Sequence, residues 1–142
     1  MKSLLLGWAL GFSLLSLPAA AQDFPKLSGR VVDQADFIPA AEEANLTVQL
    51  ERLEKTTGHQ LVVATVNSLD GNDISDYGYK LGRAWGIGGK ENNDGVIFLI
   101  APNERRMNIS VGYGLEPVLT DALSGRIIRD VVTPKFKTGD MP

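Results

Sequence analysis

Asn92-Asn93-Asp94-Gly95-Val96-Ile97-Phe98-Leu99-Ile100-Ala101-Pro102-Asn103-Glu104-Arg105-Arg106-Met107-Asn108-Ile109-Ser110-Val111-Gly112-Tyr113-Gly114-Leu115-Glu116 is the stretch that decides the fold. Its first half holds a nearly unbroken apolar run, Val96 to Ala101, the pattern of a strand buried on both faces. Its second half alternates: Met107, Ile109 and Val111 are apolar, and Asn108 and Ser110 are polar, which marks a half-buried strand. Pro102-Asn103-Glu104-Arg105 between them is turn chemistry, so the two strands form a hairpin. Polar and acidic residues gather where the strands end, with Asn93 and Asp94 before the first, and Glu116 and Asp121 after the second.

Working outward, His59 to Val66 is rich in β-branched residues and reads as a central strand. Before it, Pro39 opens a helix whose first turn carries Glu42 and Glu43, suited to the positive end of the helix dipole. Leu46, Leu50 and Leu53 give that helix one apolar face, and Gly58 is placed to end it. Val31 to Ala35 starts a short strand or turn. After the central strand, Asp73 is placed to cap a second helix from Ile74 to about Trp85. Tyr77, Leu81, Ala84 and Trp85 supply its buried face, and Gly78 and Gly82 weaken it. Thr120 caps a third helix with Leu123, Ile127, Ile128 and Val131 on its apolar face, and Pro134 is expected to end it.

The order helix, strand, helix, strand, strand, helix predicts a Rossmann-like three-layer α/β/α sandwich with a mixed, mainly parallel sheet. A right-handed crossover through the second helix makes the His59–Val66 and Gly95–Ala101 strands parallel neighbours, and Met107–Val111 adds an antiparallel strand. Loops 67–73 and 102–105 then lie at the carboxyl ends of the parallel pair, where ligands of open sheets are usually held. Loop 112–116 falls at the opposite edge, beside Asn93 and Asp94.

The totals narrow the class. Residues 1–21 read as a secretory signal peptide: Lys2 is the only charge, an apolar run follows from Leu4 to Leu17, and Ala19-Ala20-Ala21 offers a cleavage site. The protein is therefore expected to be periplasmic or secreted. Its mature part is about 120 residues, one small domain, divided into an extended arm at 22–30, a domain at 31–136 and a tail at 137–142. The chain holds no cysteine, so its stability rests on its core and not on disulfides. Removing Lys2 with the leader takes 14 basic residues against 17 acidic ones to a net charge of −4. With no basic stripe, no nucleic-acid partner is expected. No second apolar segment is of spanning length, so the processed chain is expected to be soluble.

In order along the chain, Val31-Val32-Asp33-Gln34-Ala35, Trp85-Gly86-Ile87-Gly88, Asn93-Asp94-Gly95-Val96, Arg105-Arg106, Gly112-Tyr113-Gly114-Leu115-Glu116, Leu119-Thr120-Asp121 and Gly125-Arg126-Ile127-Ile128 are motifs of a known family, continued by Pro134-Lys135-Phe136. Together they make nearly all of the mature chain resemble the TPM-domain proteins of the thylakoid lumen, the bacterial envelope and animal receptor complexes. The resemblance implies an α/β/α sandwich outside the cytoplasm, divalent-cation binding in some members and acid phosphatase activity in some plant members. Family members usually continue past a Gly-Asp like Gly139-Asp140 into another helix, and bacterial ones often add a membrane segment. Here the sequence stops at Pro142: either it is a fragment of a membrane-anchored protein, or the last helix of the family is missing.

Asn93, Asp94, Glu116 and Asp121 are hard oxygen ligands that the topology carries to one edge, and they form the candidate site for Ca2+ or Mg2+. Each also has a local reading: Asp94-Gly95 as a turn, Asp121 as a helix-start charge, and Glu116 as a solvated loop residue. Gly95, Gly112 and Gly114 read as structural loop glycines, Gly112 and Gly114 as ones that allow positive φ. Gly112-x-Gly114 is only a fragment of a phosphate-loop pattern, lacking a third glycine and followed by Glu116 and Pro117. Nucleophiles are scarce: His59 is the one histidine, and no Gly-x-Ser-x-Gly occurs. The glycosylation patterns Asn45-Leu46-Thr47 and Asn108-Ile109-Ser110 fall in a helix and a strand and read as chance.

Two readings of function follow. The first is an exported, cation-binding interaction module for envelope assembly or repair, docking on an envelope or membrane protein without strong catalytic signature. The second is a metal-dependent acid phosphatase acting on phosphomonoesters, with Asp94 or Asp121 as nucleophile or a metal-bound water in that role. Arg105 and Arg106, the candidate phosphate clamp, lie at the opposite end of the hairpin, which favours the first.

Overall fold

The computed structural model describes residues 23–89 and 92–137, so the expected leader and the end of the tail lie outside the described residues. Its sheet has four strands in sequence order: β1 (Val31–Asp33), β2 (Leu61–Thr65), β3 (Val96–Ala101) and β4 (Arg106–Val111). β1, β2 and β3 are parallel, and β4 returns antiparallel with Val96 opposite Val111 and Ala101 opposite Arg106. The mixed, mainly parallel sheet and the hairpin are as the residue pattern predicts.

Helices cover both faces. On one face α1 (Ala40–Thr57) brings Leu50 and Leu46 against Val31, Val63 and Phe98. On the other, α2 (Ile74–Trp85) brings Ile74, Tyr77 and Leu81 against Ala64, Ile97 and Leu99. Pro39 precedes α1 and Gly58 ends it in the left-handed conformation at φ 75°. Asp73 caps α2, its carboxylate accepting from Ser75 N and Asp76 N. The arm before β1 packs on α2: Phe24 meets the Tyr77 ring edge-on at 5.2 Å, and Trp85 Nε1 donates to Pro25 O at 2.8 Å. Burial, and after it the carboxylates of Asp70, Asp23 and Glu104, hold the Tyr77 hydroxyl above its ordinary pKa, so it stays a neutral core group.

Three expectations need correction. The stripe of α2 that meets the sheet runs through Tyr77, Gly78 and Leu81, and Ala84 lies off it and is exposed. Gly78 and Gly82 bring the helix close to the sheet: a Cβ at 78 would strike Ser110 Oγ, and one at 82 would come within 3.3 Å of Ile97 Cδ1. On α1, Leu53 stays 38% exposed, leaving Leu50 as the buried centre of that face. Pro134, finally, does not end the last helix.

After α3 (Asp121–Ile127), capped by Thr120, the chain widens into a π-turn over Ile128–Val132 and continues as α4 (Thr133–Lys137). The π-turn closes with Thr133 N donating to Ile128 O. Pro134 then stands in the first turn of a new helix, where its missing N–H has no intrahelical partner to lose. Phe136 of α4 stacks on Phe37, with ring centroids 5.7 Å apart, so this tail packs beside the start of α1. In α3 it is Ser124 that is buried, while Leu123 is exposed, as is Val131 beyond it.

Asp33 ties these layers together. Its carboxylate accepts from Phe37 N (3.0 Å), Ile38 N (2.9 Å) and the Thr65 hydroxyl, which itself accepts from Ala35 N at 3.0 Å. One side chain thus joins the end of β1, its neighbour β2 and the approach to α1. Asp33→Ala would leave the fully buried Thr65 hydroxyl and two amides without their acceptor. It is expected to lower stability by about 2–4 kcal/mol in urea unfolding.

Candidate functional site at the loop edge

Three loops meet at the edge where β3 begins and β4 ends: 86–89 after α2, 92–95 before β3, and 112–116 after β4. Gly112 N donates to Gly95 O at 2.8 Å and Gly114 N to Asn93 O at 2.9 Å, while Asn93 N donates to Gly89 O at 3.0 Å. Main chain packs on main chain here. A Cβ at Gly112 would strike Asn93 O, one at Gly114 would strike Asn92 O, and one at Gly95 would lie 2.7 Å from the carbonyl carbon of Ile87. Only Gly88, among the residues in these contacts, combines such crowding with a glycine's positive φ, 69°.

This corrects the reading of the loop glycines. Gly95, Gly112 and Gly114 are not at positive φ; they are there because a neighbouring backbone leaves no room for a side chain. It also removes the phosphate-loop reading. The N–H groups of Gly112 and Gly114 already donate to carbonyls and are not free to cradle an anion.

Between these loops and α2 lies a cleft of about 580 Å³, within the usual range for small-molecule sites. Its polar lining comes from Tyr79 and Arg83 of α2, Ser110 of β4, and Asn93, Tyr113 and Glu116 of the loops. Arg83 donates to the Tyr79 hydroxyl at 3.0 Å, and its guanidinium lies 5.7 Å from the Tyr79 ring centroid. Tyr113 stands 65% exposed. The cleft therefore offers an arginine, a carboxylate, an amide and two phenols around a backbone wall.

The four candidate metal ligands divide. Asn93 and Glu116 line the cleft. Asp94 does not: its Oδ2 is 3.1 Å from Nδ1 of His59, which stands just before β2, where β2 and β3 start side by side. Asp121 lines a second cavity, with Ser124. Among the described residues no group of three or more His, Asp or Glu side chains is arranged to hold a metal ion, so the four do not fit a preformed cation site. Arg105 and Arg106 are exposed at the hairpin turn, away from the loop edge, as the topology predicts.

Comparison with known proteins now adds to the geometry. The family model for the TPM domain matches residues 31–142. The chain belongs to the TPM-domain family. The N-terminal domain of a protein from P. gingivalis, solved in solution, is 33% identical, with a TM-score of 0.71 over 80% of this chain and 73% of that one. The N-terminal domain of the cg2496 protein from Corynebacterium glutamicum shares the fold at 18% identity, with a TM-score of 0.61 over 84% of this chain and 75% of that one. No protein of curated function matches.

Sequence reasoning missed the α2 side of the TPM-domain cleft. The available signal was two i, i+4 pairs, Gly78 with Gly82 and Tyr79 with Arg83, which place small and polar residues next to the buried stripe. The close approach at Gly112 has a direct test. Gly112→Ala is expected to cost about 3 kcal/mol in urea unfolding, the upper part of the overpacking range, because the atom it strikes belongs to the backbone.

Proposed function

We propose that this TPM domain is an exported binding module that works in the cell envelope without catalysing a reaction, and that the loop-edge cleft is its binding surface. The observation that carries this is the make-up of the cleft. Arg83 and Glu116 offer both charge signs for recognition, but no cysteine, histidine or paired carboxylates join them as nucleophile and base. The Met1–Ala21 leader supports export, and the docking partner is an envelope or membrane protein.

The divalent cation enters in a narrower form than the four-residue site. Asn93 and Glu116 supply two side-chain groups at one cleft, far short of the six to eight oxygens of a calcium cage, so an ion there keeps most of its waters and binds weakly. Titration with Ca2+ or Mg2+ followed by amide NMR is expected to move Asn93 and Glu116 in the millimolar range and to leave Asp121 in place. Joint movement of Asp94, Glu116 and Asp121 would restore the four-residue site, and no movement at all would remove the cation.

The phosphatase alternative has less support, since Asp94 and Asp121, its candidate nucleophiles, line neither the cleft nor a shared pocket. Purified protein is expected not to hydrolyse para-nitrophenyl phosphate with Mg2+, Ca2+ or Mn2+. Turnover that disappears in Glu116→Gln would overturn the binding-module reading in favour of an enzyme.

A further inference from the structure

β4 is the last strand of the sheet, so among the described residues one of its edges has no strand beside it. A single hydrogen bond fixes which backbone groups face that edge. Gly112 N donates to Gly95 O, so residues 95 and 112 are a hydrogen-bonded pair, and in an antiparallel ladder such pairs alternate with non-bonded ones. Ile97–Ser110, Leu99–Asn108 and Ala101–Arg106 are then the bonded pairs, and Met107, Ile109 and Val111 belong to the others. Val96 N, which donates to Gln60 O on the far side, agrees with this parity. The N–H and C=O groups of Met107, Ile109 and Val111 therefore point outward. Among the described residues none of them is joined by a hydrogen bond to the helices or loops.

Edges of this kind are usually blunted by proline, lysine, a bulge or a covering element. Met107-Asn108-Ile109-Ser110-Val111 has neither proline nor lysine, and its register to β3 is continuous. What lies beside it is a groove of about 550 Å³, lined by all five of these residues. Tyr79 of α2 and Asp121, Ser124 and Gly125 of α3 line it as well. Ser124 is 5% exposed and its Oγ has no hydrogen-bond partner among the described residues, an uncommon state for a buried hydroxyl. Asp121 is exposed and makes no ion pair among the described residues.

We propose that this groove binds an extended peptide segment of a partner protein, which adds to β4 as a fifth strand and places a basic side chain by Asp121. Strand addition supplies the missing partners of Met107, Ile109 and Val111, and the segment brings a polar group to Ser124. Charge decides the kind of occupant. A second copy of this acidic chain would bring the same Asp121 carboxylate against this one, whereas a free basic segment complements Asp121. The site is separate from the loop-edge cleft, although Tyr79, Ser110 and Val111 border both, and it stands or falls independently of that proposal.

The test uses the full chain, labelled for NMR, and a synthetic octapeptide alternating valine and threonine with one central lysine. A twin peptide carries glutamate in place of lysine. The lysine peptide is expected to slow hydrogen exchange at the amides of Met107, Ile109 and Val111 and to leave the already bonded Asn108 and Ser110 unchanged. Gly125→Leu fills the groove, since a Cβ there meets nothing within 4 Å, and is expected to weaken binding about tenfold. Asp121→Asn is expected to abolish the preference for the lysine peptide while the chain stays folded. Unchanged exchange at all three outward amides with both peptides would overturn the proposal. So would protection of the same amides that rises with protein concentration when no peptide is present, since a second copy would then fill the groove.

Discussion

Backbone packed directly on backbone is the constraint from which the loop edge of this TPM domain follows. The 92–95 segment runs between the turn after α2 and the loop after β4, and glycines at 88, 95, 112 and 114 are what let the three chains touch. Hydrogen bonds from Gly112 to Gly95 and from Gly114 to Asn93 then lock the contact, extending the β3–β4 ladder past the end of both strands. Gly78 and Gly82 repeat the same solution on α2, where an absent side chain lets the helix settle against β4 and β3. The cleft lies beside both sets of close contacts, and glycines from each line it.

That lining limits the chemistry. The N–H groups of Gly112 and Gly114 are already engaged, so recognition falls to the side chains of Tyr79, Arg83, Asn93, Ser110, Tyr113 and Glu116. The acidic residues are also spread apart. Asp94 meets His59, Glu116 lines the cleft, and Asp121 lines another cavity. Carboxylates gathered at one point repel one another and call for a cation; here Asp94, Glu116 and Asp121 are not gathered at one point.

Much of the fold was legible because its signals are local. Val96–Ala101 and Met107–Val111 differ in period, the turn between them has its own chemistry, and Asp73, Thr120 and Gly58 sit at helix ends where their side chain or its absence satisfies the backbone. Pro134 misled for a physical reason: proline breaks a continuing helix, but a π-turn immediately before it made its position a new first turn. The glycines misled in a similar way. A glycine required by conformation and a glycine required by a neighbour's proximity are the same letter, and only the neighbour tells them apart.

For this protein, the sequence alone settled the fold class, the family and which loops share an edge, because strand direction and crossover handedness carry those facts from local pattern to topology. It predicted that Asn93, Asp94, Glu116 and Asp121 share one edge but could not say where their side chains point. That was decided by tertiary structure. The parallel start of β2 beside β3 set His59 next to Asp94, and the position of α3 along β4 gave Asp121 and Ser124 a groove of their own. Periodicity fixes a residue's place in its own element; the direction of a loop side chain depends on whatever element happens to pack beside it.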